Sequence, residues 1–116
     1  MKKNEIQERS YEFALRIIKL ILALPNNVAG RRLGDQLLRA GTSIGANVEE
    51  GIGGYSKTDF ANKMSIAYKE ARESNYWLRL IRDSNLMKVE EMESIIEESE
   101  EIIKMLFSIV RSSKNP

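Results

Sequence analysis

Basic side chains at helical spacing are the first chemistry this sequence offers. Lys69, Arg72, Tyr76 and Arg79 fall at steps of three and four, so a helix would place them on one face. A row of cations with an interleaved aromatic can hold a phosphate backbone and stack a base. The same row also reads as a solvated face whose cations pair with Glu70 or Glu73. Arg31, Arg32 and Arg39 add cations upstream. Residues 1–84 hold 14 basic and 10 acidic groups and residues 85–116 hold 4 and 7, so charge is segregated although the whole chain carries only +1. That small net charge supplies no whole-molecule field towards nucleic acid or membrane.

A polar row, Arg32, Gln36, Arg39, Ser43, Asn47 and Glu50, runs beside an apolar stripe. Ser43, Asn47 and Glu50 fit a hydrogen-bonded network that fixes register or subunit pairing. They also fit a ligand site in which Arg39, Asn47 and Glu50 would act. Carboxylates at i,i+4, Glu93 with Glu97 and Glu97 with Glu101, have the spacing to hold Mg²⁺ for phosphodiester cleavage. Their plainer reading is a solvated acidic face. The sequence has no His and no Cys, which removes the usual general base, imidazole metal sites, thiol chemistry and disulfides. Gly51-Ile52-Gly53-Gly54 follows a helical pattern and does not open a helix after a strand, so it is no phosphate loop. We expect a protein that is not an enzyme and needs no metal or cofactor.

Four elements must position these groups. Apolar periodicity predicts helices over about 4–24, 29–50, 57–84 and 89–112, within one domain spanning 1–116. The first has its seam at Ile6, Ser10, Phe13, Ile17, Leu20 and Leu24, an Asn4–Gln7 capping box, and Pro25 as its stop. The second carries Leu33, Leu37, Ala40, Ile44 and Val48, and Gly51 is expected to end it in the left-handed region. Gly34, Gly41 and Gly45 inside it cost about 1 kcal/mol each relative to Ala, a cost tolerated where a neighbour approaches closely. Ser56 with Asp59 caps the third, whose seam is Phe60, Met64, Ala67, Ala71, Ser74, Leu78 and Ile81, with Asn85 at its exit. The fourth follows Val89, Met92, Ile96, Ser99, Ile103, Leu106 and Val110.

Short connections between amphipathic helices predict an all-α fold, an antiparallel up-down-up-down left-handed four-helix bundle. The small-residue patches of helices 2 and 3 are expected to face each other or a neighbouring subunit. Leu15, Ile18 and Leu22 form a second apolar row off the first seam, and Trp77 with Leu80 lies to one side of the third. This is more apolar surface than four helices need, and a subunit interface is its simplest use. The longest apolar run, Leu15 to Leu24, is interrupted by Arg16 and Lys19 and is too short to span a bilayer. With no apolar leader at the start, the expectation is a cytoplasmic protein with no membrane partner.

Asp35-Gln36-Leu37-Leu38-Arg39-Ala40-Gly41-Thr42-Ser43-Ile44-Gly45-Ala46-Asn47-Val48-Glu49-Glu50-Gly51 and Lys69-Glu70-Ala71-Arg72-Glu73-Ser74-Asn75-Tyr76-Trp77-Leu78 together make a distinctive pair of blocks. They resemble the bacterial four-helix-bundle proteins encoded in 23S rRNA intervening sequences, a family often labelled ribosomal-protein-like. The resemblance covers nearly the whole chain. It implies a bundle that assembles as a ring, typically a homopentamer, and a family with no agreed molecular activity. It is also similar to accessory proteins of diversity-generating retroelements, which implies basic surfaces that meet RNA or DNA and a protein partner. Leu38, Gly45 and Glu49 depart from the family's usual Arg, Pro and Ala, which weakens the positive field of helix 2.

The reading drawn from both is a homo-oligomer that contacts nucleic acid, RNA foremost, through Arg31, Arg32, Arg39, Lys69, Arg72 and Arg79. The competing reading is a protein-binding scaffold ring that never meets nucleic acid.

Overall fold

The computed structural model describes residues 5–114. Four helices account for nearly all of them: α1 (Glu5–Ala23), α2 (Val28–Ile52), α3 (Lys57–Asp83) and α4 (Val89–Lys114). Among the described residues there is no strand. The helices lie lengthwise in a rod of 47 × 21 × 18 Å. Each packs on its sequence neighbour and α4 returns to α1, while among the described residues the Cα atoms of the diagonal pairs α1–α3 and α2–α4 stay more than 8 Å apart.

Local chemistry sets the ends. Asn27 caps α2 by accepting the Gly30 N–H at 2.7 Å. Ser56 caps α3 by accepting the Asp59 N–H at 3.0 Å. Both side chains satisfy donors that the first helical turn leaves without partners. Asn85 takes φ 62° just past α3, the left-handed conformation that its short amide side chain tolerates. Asn4, expected to cap the first helix, lies outside the described residues.

Gly51 does not stop α2. The helix runs one residue further, and Gly53 caps it through its N–H to Glu49 O, at φ −85°. Gly51 is buried instead against α3, where an added Cβ would sit 3.0 Å from Met64 Cε and 3.1 Å from Lys63 Cβ. The other small residues of α2 also have a partner that differs from expectation. Gly34 faces Ile21 of α1 and Leu24 just past it, and Gly41 and Gly45 face Ile17 and Ser10 of α1, none of them on α3.

The seams of α1, α2 and α3 are buried nearly as their spacing predicts, from Ile6, Phe13 and Ile17 through Leu37, Ile44 and Val48 to Met64, Leu78 and Ile81. Ser10 on α1, Ser74 on α3 and Ser99 on α4 are fully buried, and each hydroxyl donates to a carbonyl of its own helix, so none is orphaned. Helix α4 is rotated from its expected register. Ile95 and Ile102 are buried, Ile103 and Val110 are half-buried, and Val89 is exposed. That rotation leaves Ile103 at the floor of the α3–α4 groove.

Neighbouring helices meet in pairs whose numbers run in opposite senses. Arg9 reaches Glu98 and Arg16 reaches Ser94; Gly45 meets Ser10 and Gly34 meets Ile21. Gly51 meets Met64 and Arg39 reaches Glu70; Tyr68 meets Phe107 and Asn75 reaches Ser99.

Candidate nucleic-acid interface

Helix α3 presents three flanks. Its seam faces the core. One side, with Glu70, Glu73 and Trp77, meets α2, and the other, with Tyr68, Arg72, Asn75 and Arg79, meets α4. Lys69, Arg72, Tyr76 and Arg79 line one shallow groove of about 500 Å³, together with Glu73, Asn75 and Ile103.

The groove's cations are held over aromatic rings. The Arg72 guanidinium lies 5.8 Å from the Tyr68 centroid, and that of Arg79 lies 5.8 Å from the Tyr76 centroid. Arg79 is further fixed by a polar relay. Its Nε–H donates to Asn75 Oδ1 at 2.8 Å, Asn75 Nδ2 donates to Ser99 Oγ at 2.9 Å, and Ser99 donates to Ile96 O. Such placement reduces the side-chain entropy lost when a phosphate is bound.

Ion pairing separates the six candidate cations. Glu70 and Glu73, the expected partners of the α3 row, are taken by Arg39 of α2. Among the described residues, Lys69, Arg72 and Arg79 make no salt bridge. Arg39 therefore belongs to a neutralised cluster at the α2–α3 seam, where Glu73 also accepts the Trp77 indole N–H at 2.9 Å. Arg31 donates to Asn26 at the start of α2, and Arg32 is exposed nearby. Both lie about two turns of helix, or roughly 11 Å, from Arg39. The structure thus gathers Lys69, Arg72 and Arg79 and leaves Arg31, Arg32 and Arg39 elsewhere.

Within the protomer, Ser43 and Asn47 bond along their own helix, and of the three expected network residues Glu50 alone reaches another helix. Ser43 donates to Arg39 O and Asn47 to Ser43 O, both within α2. Glu50 is exposed and pairs with Lys63 of α3 at 2.9 Å. The hydroxyl and amide find acceptors on their own helix, so nothing compels them to bridge. Among the described residues, no group of three acidic side chains converges where it could hold a metal, and the acidic face of α4 stays spread along the helix.

The apolar candidates divide too. Leu15, Ile18, Leu22 and Leu80 are exposed, Leu22 to 82%. Trp77 is half-buried against the core, and its own chain already supplies a hydrogen-bond partner. Tyr11 extends the α1 row, and Leu38 and Ile66 are exposed on α2 and α3. No helix is long and apolar enough to cross a membrane.

Sequence reasoning does not reach Asn75, Phe107 or Arg111. The last two sit off the α4 seam at i,i+4, a signal visible in the spacing, and the Arg111 guanidinium lies 5.5 Å from the Phe107 centroid. Nothing in the spacing shows that Asn75 bridges to Ser99, because that pairing depends on the register of two helices.

Residues 2–108 match the family model of the 23S rRNA-intervening sequence protein. The chain is similar, at 43% identity and TM-score 0.86, to a crystal structure of a protein with unknown function from the S23 ribosomal protein family of Bacteroides thetaiotaomicron VPI-5482. That likeness covers 96% of this chain and 99% of the other. No match was found among curated proteins. Neither finding points to an enzymatic family. With the two sequence blocks, the four-helix architecture and a family match over almost its whole length, the chain belongs to the 23S rRNA-intervening sequence protein family.

Proposed function

We propose that this chain is a non-enzymatic cytoplasmic protein that binds nucleic acid, RNA foremost, through the α3 groove as a homo-oligomeric ring. One observation carries the reading. Lys69, Arg72 and Arg79 share a groove with exposed Tyr76, while the acids that would have neutralised them are occupied by Arg39. Three cations left for an external anion, with an aromatic among them, match the recognition of a phosphate backbone.

We read the bundle as antiparallel, up-down-up-down and left-handed. The opposite running of the contact pairs supports the strand sense, and the three-four repeat supports the hand.

The ring reading rests on two exposed apolar stripes. Tyr11, Leu15, Ile18 and Leu22 lie along α1, and Ile66 and Leu80 along α3. At about 100° per residue, the first stripe is centred roughly 30° and the second roughly 50° from its helix's outward direction, towards α2 in both cases. Since α1 and α3 are diagonal, the stripes face roughly 100° apart, and head-to-tail contact between such faces closes rings of about four or five copies. Replacing Leu15 and Leu22 together by Ser should release protomers in light scattering; an intact ring would contradict this interface.

For the nucleic-acid reading, a labelled structured RNA is titrated at about 50 and 200 mM salt. Neutralising three phosphates should weaken binding about 40-fold between the two. Absence of binding at the lower salt removes the reading. The scaffold alternative predicts that charge reversal at Arg72 and Arg79 leaves RNA retention unchanged and alters capture of a protein partner.

A further inference from the structure

The basic groove does not end at α3. Across it, Phe107 packs on Tyr68 with centroids 6.0 Å apart at 48°, and Arg111 lies over Phe107 from one turn further on. Arg79 with Tyr76, Arg72 with Tyr68, and Phe107 with Arg111 therefore form one ladder of guanidiniums and rings along the α3–α4 rim, with Tyr68 and Phe107 side by side where the two helices meet. Three separate cation–ring pairs, brought to one rim by two helices, are more than a solvated face requires. From Arg79 to Tyr68 the ladder covers eleven residues, or about 16 Å, and Arg111 extends it to roughly 20 Å.

Building on the nucleic-acid reading, we infer that this rim is a stacking platform for single-stranded nucleic acid, with Phe107 and Arg111 of α4 completing a site that α3 begins. The argument is one of exposure and charge. Tyr76 and Phe107 are 47% and 49% exposed, so ring surface is available to a base. A duplex keeps its bases stacked on each other and presents phosphates and groove edges, so it has no use for exposed rings; a single strand offers the π-face of every base. Roughly 20 Å of rings and cations fits a strand of about four nucleotides.

Charge along α4 sets the direction of the site. The flank at 100, 104, 107 and 111 reads Glu, Lys, Phe, Arg, so its positive end is the end carrying the ring. Lys104 is 3.5 Å from Glu101 at the surface, a weak pair, and adds to the positive end. Glu73, the acid within the groove, is engaged by Arg39 and by Trp77.

The test compares an unstructured 12-nucleotide RNA with the duplex made by annealing it to its complement, at about 50 mM salt, on the full chain. The single strand should bind more tightly than the duplex. Phe107→Leu and Tyr76→Leu keep apolar bulk and remove the ring, and each should weaken single-strand binding by about five-fold or more, the lower range for one lost stacking partner. Tyr76→Phe should bind as the parent does. Arg111→Gln should lower the salt slope on the single strand by about 0.7. Both rings are half exposed, and circular dichroism on each variant separates lost binding from lost fold. Equal binding of both forms with neutral aromatic variants overturns the platform and leaves the phosphate-binding reading intact. Binding of neither form overturns both.

Discussion

Gly41→Ala should destabilise the bundle and Gly45→Ala should stabilise it, although both add one methyl to the same face of α2. At position 41 the new carbon would lie 2.8 Å from Ile17 Cγ1, 3.0 Å from Cγ2 and 3.3 Å from Cβ. Ile17 cannot swing away, because a β-branched side chain in a helix has essentially one rotamer, and its own Cβ is among the atoms met. The backbone of α1 must shift, and such overpacking costs about 1–3 kcal/mol. The gain in helix propensity, about 1 kcal/mol, offsets part of it. The net loss is about 1 kcal/mol. At position 45 the nearest atoms are Ser10 O and Oγ, both at 3.4 Å, which is ordinary contact, so the propensity gain of about 1 kcal/mol survives. An unfolding entropy of about 2.1 cal/mol/K per residue gives about 0.24 kcal/mol/K for this chain, hence roughly 4 °C per kcal/mol. Gly41→Ala should melt about 4 °C below the parent and Gly45→Ala about 4 °C above it. The melts must be run at one protomer concentration, since assembly shifts Tm by mass action. If Gly41→Ala melts at or above Gly45→Ala, the close approach of α1 to α2 is wrong.

Other expectations follow from single contacts. Glu73→Ala removes the acceptor of the Trp77 indole and the partner of Arg39; it should red-shift the Trp77 emission and cost about 1 kcal/mol in a urea melt. Arg9 bonds Glu98 through two nitrogens and is the main polar tie between α1 and α4; a double-mutant cycle to Ala should return a coupling of about 1 kcal/mol, as both groups keep some solvent contact. The Arg82 hydrogen bond, and behind it the Arg82 and Arg79 charges, hold the Asp83 carboxyl below the usual carboxylate range. A depressed folded value means that this pair favours the native state above the ordinary aspartate range and ceases to do so as pH falls through the folded midpoint. Arg82→Gln should raise the Asp83 midpoint in a carbon-detected NMR titration; an unmoved midpoint would refute the pairing.

Much of this architecture is legible in spacing alone. Alternating steps of three and four pick out Ile6 to Leu20 on α1 and Met64 to Ile81 on α3, and Ser56 with Asp59 marks where α3 begins, whereas the Asn27 cap of α2 shows only in the structure. Periodicity says which face is buried, and it is silent about the neighbour that buries it. That is why Gly34, Gly41 and Gly45 receive α1 when α3 or a neighbouring subunit was the expected partner. Ile17 and Ile21 fill hollows left by missing side chains, whereas α3, which brings Ala67 and Ala71 to its own contacts, fills the one at Gly51 with Met64 and Lys63. The rotation of α4 is hidden for a related reason: Ile95, Ile96, Ile102 and Ile103 give that helix two adjacent apolar rows, and packing covers Ile95, Ile96 and Ile102 and leaves Ile103 half-buried.

The candidate site shows the same division in charge. The sequence places Lys69, Arg72 and Arg79 on one face but places Glu70 and Glu73 within about one turn of Lys69 and Arg72, so the charge of that face is not set along one helix. The answer comes from across the seam. Arg39 claims both acids, and among the described residues Lys69, Arg72 and Arg79 are left without a salt bridge. It follows that Arg39 shapes the groove without belonging to it. On the proposed nucleic-acid reading, Arg39→Gln should release Glu70 and Glu73 towards Lys69 and Arg72 and weaken RNA binding at about 50 mM salt without removing a phosphate contact. A purely additive picture, in which each of the six cations contacts phosphate, predicts that Arg39→Gln and Arg72→Gln lower the salt slope equally. The structure predicts a lower slope for Arg72→Gln, and for Arg39→Gln a loss of affinity that Glu73→Gln in the same chain restores. Failure of that rescue would return Arg39 to the contact surface and merge the two patches into one.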